Sequence, residues 1–312
     1  MSINGPQHAS DALLLQLKTL RLTGILCTLE ARHRQALAGQ WSYVEFLSRL
    51  FEDEIERRAQ KRLGQRLRKG AINTSKTLED FSFSFNPGIN RQQLLALAAG
   101  DYIRAKRNVL ICGPSGVGKS HLAQALAHEA CRQGYDALFT STHKMLQHLH
   151  GGRADNSYER RLAVYLRPHL LILDDFGLRS LTAPAPEDLY EIINERYEKG
   201  SIVVTSNRSP KEWPALFNDP LLASAGLDRL GDRAEMVVIR GQSYRAHGRG
   251  QQGSLQQGSL QQVPSQQSSI QDDGAGGQQA SWPDDTNLRF SPGGDMRAIE
   301  EEEGGHRQTE GP

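Results

Sequence analysis

Long apolar runs are missing from this 312-residue chain: nothing in it approaches the ~20 uninterrupted apolar residues that a membrane span requires. A bilayer-crossing protein is therefore excluded at this level, and no membrane partner is expected. The opening stretch, MSINGPQHASDALLLQLKTL, lacks a basic segment followed by an apolar block and a small-residue cleavage site, so no secretory signal is expected and the expected compartment is the cytoplasm. Cysteine is scarce. Cys27, Cys112 and Cys131 are odd in number and show neither CxxC nor Cys/His ligand spacing, which argues against a disulfide framework and against a zinc site. Net charge is also close to absent, at +1, but the small total hides an uneven distribution. Residues 1–107 carry 17 Lys and Arg against 10 Asp and Glu, a net +7, whereas residues 246–312 carry 4 against 10, a net −6.

What is present is a composition ordinary for a soluble protein, 38% hydrophobic and 23% charged, in a chain long enough for one or two domains. From Asp11 to about Ala38, apolar residues recur at helical spacing (Leu13, Leu17, Leu20, Ile25, Leu29), which predicts one amphipathic helix or a pair. A further helix is predicted from Ser42 as N-cap to about Lys69. Glu45 would complete a capping box, and Val44, Phe46, Leu47, Leu50, Phe51 and Ile55 would form its apolar side. Asn86-Pro87-Gly88 marks a turn, after which Arg91 to Tyr102 reads as a short helix.

At Asn108 the pattern changes. VLIC (109–112), ALFT (137–140), LLIL (170–173), IVVT (202–205) and MVVI (236–239) are short apolar runs separated by helical stretches, the signature of βαβ units and a parallel five-stranded sheet. Beyond Arg245 the chain turns to Gly, Gln and Ser, with an imperfect repeat GSLQQGSLQQ and an acidic run Glu300–Glu303. Such a composition buries too little apolar surface to offset chain entropy and predicts disorder. The expected domains are a helical one over 1–75, an α/β one over 76–245 and a low-complexity tail over 246–312.

Gly113 to Ser120 reads GPSGVGKS, which satisfies GxxxxGK[ST] directly after an apolar strand and directly before a helical stretch. In that context Gly113, Pro114, Ser115, Gly116, Val117 and Gly118 form a loop whose backbone N–H groups curl around phosphate oxygens, with the next helix aiming its positive end at them. Lys119 would reach the β- and γ-phosphates of ATP, and the Ser120 hydroxyl would ligate Mg2+. A metal-bound triphosphate also needs a carboxylate. LLILDD places Asp174 and Asp175 at the end of a buried strand; Asp174 would hold Mg2+ and Asp175 would act as general base on the attacking water. Asn207, at the tip of the IVVT strand, could orient that water. Arg229, in LDRL, is the candidate arginine finger for a neighbouring subunit's site, with Arg233 as the other possibility.

The chain resembles IstB, the helper ATPase of insertion-sequence transposons, which is related to DnaC-type helicase loaders within the AAA+ initiator clade. The resemblance is carried by LKTLRLTG, WSYVEFLSRLFEDEIERRAQKRLGQRLRKG, TLEDFSFSFNPGINRQQLLALAAGDYI, the P-loop, LLILDDFG, VVTSNRSPKEW and LDRLGDRAEMVVIRGQSYR, which together span roughly residues 11–245. It implies an AAA+ P-loop NTPase core behind a small all-α domain. It also implies an ATP-hydrolysing homo-oligomer with ATP at subunit interfaces, which assembles on duplex DNA beside a partner transposase (IstA-like) and helps choose the target. Two features depart from the family pattern: the 67 residues after Arg245, and Gly226 where an apolar helical residue is expected.

Seven basic residues and no acidic ones lie between Arg57 and Lys69: Arg57, Arg58, Lys61, Arg62, Arg66, Arg68 and Lys69. Placed on one helix they read as a stripe for duplex phosphates, with binding that weakens steeply with salt and depends little on sequence. The core motifs alone leave open a DnaC-like loader of a replicative helicase, which would prefer single strands. A small-molecule P-loop kinase would lack the basic helix, and a scaffold that binds ATP without turnover would not need Asp175.

Overall fold

A computed structural model describes residues 6–217 and 219–244, with side chains from Asp11 onward. The expectations for residues 246–312 lie outside the described residues. The chain divides into two compact units at Gly70/Ala71.

The first unit is built from α1 (Pro6–Thr19), α2 (Thr23–Gly39) and α3 (Tyr43–Lys69). The predicted first helix is thus a pair, broken where Arg21 takes a positive φ of 56°. Leu17, Ile25 and Leu50 form its small core, joined by the partly buried Leu22, Leu26, Leu29 and Phe46. Leu22, at the head of α2, has no side chain able to cap the helix, and the cap comes from α3 instead. Glu54 Oε2 accepts the N–H groups of Gly24 (2.5 Å) and Ile25 (3.4 Å), while Glu54 Oε1 accepts from Arg58 Nε at 2.7 Å. Burial raises the pKa of the Glu54 carboxyl, but Arg58 and the two amides outweigh it and leave the group below its usual range. Gly24 is required here, since a Cβ would sit 2.7 Å from Glu54 Cα. Nearby, Arg32 clamps Asp53 through Nε (2.9 Å) and Nη2 (2.6 Å).

Helix α3 begins as predicted, with Ser42 Oγ accepting from the Glu45 amide at 3.2 Å, one half of the expected capping box. Its apolar residues do not form a single side. Leu50 and Phe46 face α2, whereas Val44, Leu47, Phe51 and Ile55 are exposed. At ~100° per residue the exposed set is centred roughly 125° from the packed pair, with Leu47 about 60° from Leu50, so the two apolar faces adjoin without coinciding.

In the second unit, α4 (Arg91–Ala98) and α5 (Asp101–Arg104) replace the single helix predicted over 91–102, because Gly100 adopts φ 79° and interrupts it. There follow β1 (Val109–Cys112), α6 (Lys119–Arg132), β2 (Ala137–Ser141), α7 (Thr142–Ala154), α8 (Tyr158–Leu166), β3 (Leu170–Phe176), α9 (Ala185–Arg196), β4 (Ser201–Ser206), α10 (Pro220–Gly231) and β5 (Glu235–Val238). The five strands form one parallel sheet in the order β2-β3-β4-β1-β5. Alternate residues face opposite ways. Leu110, Cys112, Leu171, Leu173, Ile202 and Val204 bury into one cluster with Met145, Leu149, Leu162, Leu189 and Ile192 from α7, α8 and α9, while α6 covers the other face. The result is a three-layer α/β core on a five-stranded parallel sheet, with the glycine-rich loop following β1, as a P-loop fold requires.

Arg196, only 2% exposed, ties this core together. Its guanidinium donates to the carbonyls of Tyr165, Leu166, Pro168, His169 and Ser201, joining the end of α8, the start of β3 and the start of β4. Among the described residues no helix is long and apolar enough to cross a membrane.

Candidate nucleotide-binding site

In a parallel sheet every strand delivers its carboxyl end to the same edge, and there the loops from β1, β3 and β4 converge. They line a cleft of about 750 Å3 bounded by Ser115 to His121, Asp174, Asp175, Leu178, Asn207 and, on its other wall, Phe81, Phe85, Asn86 and Tyr244.

The loop between β1 and α6 owes its curl to glycine. Gly116 (φ 84°) and Gly118 (φ 102°) lie in the left-handed region, and a Cβ on Gly118 would be 2.7 Å from the Phe81 ring. Helix α6 starts at Lys119 with no side-chain cap, so its first-turn amides remain available to an anion. Lys119 is 7% exposed, and its Nζ donates to the Pro114 carbonyl at 2.7 Å, which holds the ammonium inside the loop. Asn86 Nδ2 donates to Val117 O at 3.4 Å and Tyr244 N donates to Gly116 O at 3.0 Å, so segments from both sides of the core brace the loop. The Tyr244 and Phe85 rings meet edge to face at 5.0 Å, and Phe81 meets His121 at 5.2 Å. Just below the loop, burial pushes the Cys112 thiol up to about 12 despite the opposing charge of Lys119.

Opposite the loop, β3 breaks register with β4 between Leu173 and Phe176. At this bulge Asp174 stays 8% exposed while Asp175 turns outward with φ 54°, a conformation that aspartate tolerates better than most residues. Thr205 holds both. Its hydroxyl donates to Asp174 Oδ1 at 2.5 Å and accepts the Asp175 amide at 3.1 Å, and Thr142 Oγ1 secures the Asp174 carbonyl at 3.1 Å. Asn207 follows at the exposed tip of β4, beyond Ser206, whose buried hydroxyl donates to Phe176 O at 2.8 Å. A second cleft of about 840 Å3, between α7 and the 177–185 loop, shares Asp175 and Leu178 with the first.

The fold thus brings Ser115–Ser120, Asp174, Asp175 and Asn207 to one cleft, with Gly113 and Pro114 leading from β1 into the loop. Arg229 is elsewhere. It lies near the end of α10, its Nη1 donating to Ala225 O at 2.7 Å and its guanidinium 5.6 Å from the Tyr190 ring, in a pocket with Lys106, Asn108 and Gly200 at the amino ends of β1 and β4. Gly226 is buried within α10, where a Cβ would stand 3.4 Å from Tyr190 Cδ2. Arg233, at φ 49°, pairs with Asp232 and Glu198 on the surface. Of the seven basic residues of α3, Arg66 is half-buried and six are exposed. Arg57 donates to Thr23 Oγ1 at 3.1 Å and Arg58 is committed to Glu54, an acid one turn upstream of the basic run. At ~100° per residue the seven occupy about half of the helix circumference.

Comparison with known proteins agrees with the cleft. The family described as IstB-like ATP binding protein matches residues 15–252. An ATP-binding protein of an insertion sequence in Mycobacterium tuberculosis is 44% identical over 235 residues, covering 75% of this chain and 94% of the relative. The insertion sequence IS21 ATP-binding protein of Pseudomonas aeruginosa is 35% identical over 238 residues, covering 76% of this chain and 89% of the relative. Among solved structures, AMPPCP-bound DnaA from Aquifex aeolicus shares 23% identity at a TM-score of 0.45 over 61% of this chain and 58% of its own. The DnaC helicase loader shares 24% at 0.41 over 48% and 87%. By the match across most of its length, this chain belongs to the IstB-like ATP binding protein family of insertion sequences.

Proposed function

We propose that this chain is an ATP-hydrolysing, DNA-binding helper of an insertion-sequence transposase. The observation that carries the reading is the convergence of the glycine loop, Lys119, the Asp174–Asp175 bulge and Asn207 on one cleft. A triphosphate entering there meets the first-turn amides of α6 and the Lys119 ammonium. Lys119 would exchange its bond to Pro114 O for phosphate oxygens, so the loop that now holds the charge also delivers it. Ser120 and Asp174 fit Mg2+, one as a hydroxyl and the other as a nearly buried carboxylate kept in place by Thr205. The metal would supply charge neutralisation at the β- and γ-phosphates. Asp175, exposed and turned into the cleft, would accept the proton of the attacking water, with Asn207 fixing that water's orientation.

The place of Arg229 at the far ends of β1 and β4 fits a finger that serves a neighbouring copy, with ATP at the interface of a homo-oligomer. The exposed basic half of α3 fits duplex phosphates, and the relatives named for insertion sequences favour a partner transposase that performs the strand chemistry. Assembly on duplex DNA would then help the transposase choose its target, and hydrolysis would reset the assembly.

Steady-state phosphate release with ATP and Mg2+, with and without duplex DNA, tests the reading. Release that requires Asp175 and responds to duplex supports it; binding of ATP with no release leaves only a nucleotide-dependent scaffold, and a preference for single strands favours the helicase-loader reading.

A further inference from the structure

Asn207 lines the nucleotide cleft, yet its side chain makes no hydrogen bond among the described residues, so its place is set by the two residues that flank it. Both flanks reach across to the turn that follows Asp175. Ser206, fully buried, donates its hydroxyl to Phe176 O at 2.8 Å and accepts from the Arg208 amide at 3.1 Å and from Trp213 Nε1 at 3.3 Å, which uses every bonding position of that hydroxyl. Arg208 in turn donates its Nε to Gly177 O at 2.6 Å. Phe176 and Gly177 are the first and second residues after Asp175, so the neighbours of Asn207 hold the neighbours of Asp175 rung by rung.

The outer rung matters most, because Phe176 and Ser206 are the last residues that β3 and β4 pair. Beyond them the sheet no longer fixes the two chains. Arg208 supplies the tie there without entering the site: it is not among the residues that line the cleft, and its Nη1 turns instead toward Glu212 Oε2, 3.9 Å away. Its stem packs on the turn it holds, where Gly177 has φ 75° and a Cβ would lie 3.4 Å from Arg208 Cδ and 2.8 Å from Leu216 Cδ1.

We propose that Arg208 is a positioning residue for hydrolysis, whose Nε hydrogen bond to Gly177 O keeps Asn207 and Asp175 at the separation from which both reach one water molecule. The proposal rests on the reading above, in which Asp175 takes that water's proton and Asn207 orients it. The bond, rather than the charge, carries the role. A misplacement of about 1 Å at a reacting centre costs up to about 100-fold in rate, so a single lost tie of this kind is enough to be measured.

Steady-state phosphate release by the full chain with ATP and Mg2+ tests the role in four variants. Arg208→Met fills the same space without a donor; kcat is expected to fall about 10- to 100-fold, with KM for ATP and the thermal midpoint unchanged. Arg208→Gln places an uncharged N–H at the same number of bonds from the backbone as arginine Nε, and is expected to keep kcat within about threefold of wild type. Asn207→Ala is expected to be slow, and adding Arg208→Met to it to cost less than about threefold more, because the second change acts through the first. A residue that merely supports the fold would lower the thermal midpoint and take its full factor in both backgrounds. Wild-type kcat in Arg208→Met, a Gln variant as slow as the Met variant, or full additivity in the double variant would each overturn the proposal. A wild type without turnover, or Asn207→Ala with wild-type kcat, would instead refute the reading of the hydrolytic pair, and the positioning role with it.

Discussion

Thr205 donates its hydroxyl to Asp174 at 2.5 Å and, with the same oxygen, accepts the amide of Asp175 at 3.1 Å. One side chain on β4 thus fixes both members of the acidic pair on β3, the carboxylate of the first and the backbone of the second. The bulge between Leu173 and Phe176 makes this possible by releasing Asp174 and Asp175 from the regular ladder.

Thr205→Val keeps the shape of the strand and removes the hydroxyl. ATP hydrolysis is expected to fall about 10- to 100-fold, with a higher Mg2+ requirement and nearly unchanged nucleotide affinity. A magnesium titration of phosphate release in the variant checks this; a wild-type magnesium profile would show that Thr205 does not position Asp174.

Glu54 caps α2 from a neighbouring helix, and its loss is expected to be felt throughout the first unit. Glu54→Ala leaves the Gly24 and Ile25 amides without an acceptor and Arg58 without its partner, at a cost of about 1–3 kcal/mol. Hydrogen exchange of α2 amides would register it as faster opening near Gly24, while the second unit keeps its protection.

The Arg32–Asp53 pair makes the same unit sensitive to acid. The Arg32 hydrogen bond outweighs partial burial and holds the Asp53 carboxyl at about 2. A depressed native value means that the stabilisation is complete above the ordinary carboxylate range and is lost as pH falls from about 4 toward 2. Thermal unfolding followed against pH is expected to show this decline in the wild type and a flatter profile in Asp53→Asn, whose side chain does not titrate.

Reversing charge at Arg62 and Arg66 is expected to abolish duplex binding at physiological salt and to leave ATP binding intact. Neutralising the same two residues is the milder measurement. It is expected to reduce the slope of log affinity against log salt by about 1.8, since each phosphate contact contributes about 0.9. An unchanged slope would show that these arginines do not touch DNA.

The strands were legible because parallel strands buried on both faces read as continuous apolar runs, and VLIC, LLIL and IVVT all fall on observed strands. The glycine loop and the Asp174–Asp175 pair were legible because phosphate and metal chemistry demand those residues in that order. Thr205 was not, since a threonine closing an apolar strand looks like an ordinary β-branched residue until its neighbour strand is known. Phe81, Phe85, Asn86 and Tyr244 escaped for a related reason: they reach the cleft from segments far apart in the chain, and only the folded contacts, Phe81 against Gly118, Asn86 on Val117 O, the Tyr244 amide on Gly116 O and Phe85 against the Tyr244 ring, reveal why they are there. On α3 the helix was predictable, but its division into a packed and an exposed apolar face depended on where α2 lies.

The central claim is that the Gly113–Ser120 loop grips the triphosphate through Lys119. Titrating ATP into Lys119→Ala, with turnover measured on the same sample, tests it most directly: nucleotide affinity is expected to drop at least about tenfold, since a charged donor to phosphate contributes about 1.5–3 kcal/mol, and hydrolysis is expected to vanish. Wild-type affinity and turnover in that variant would contradict the account.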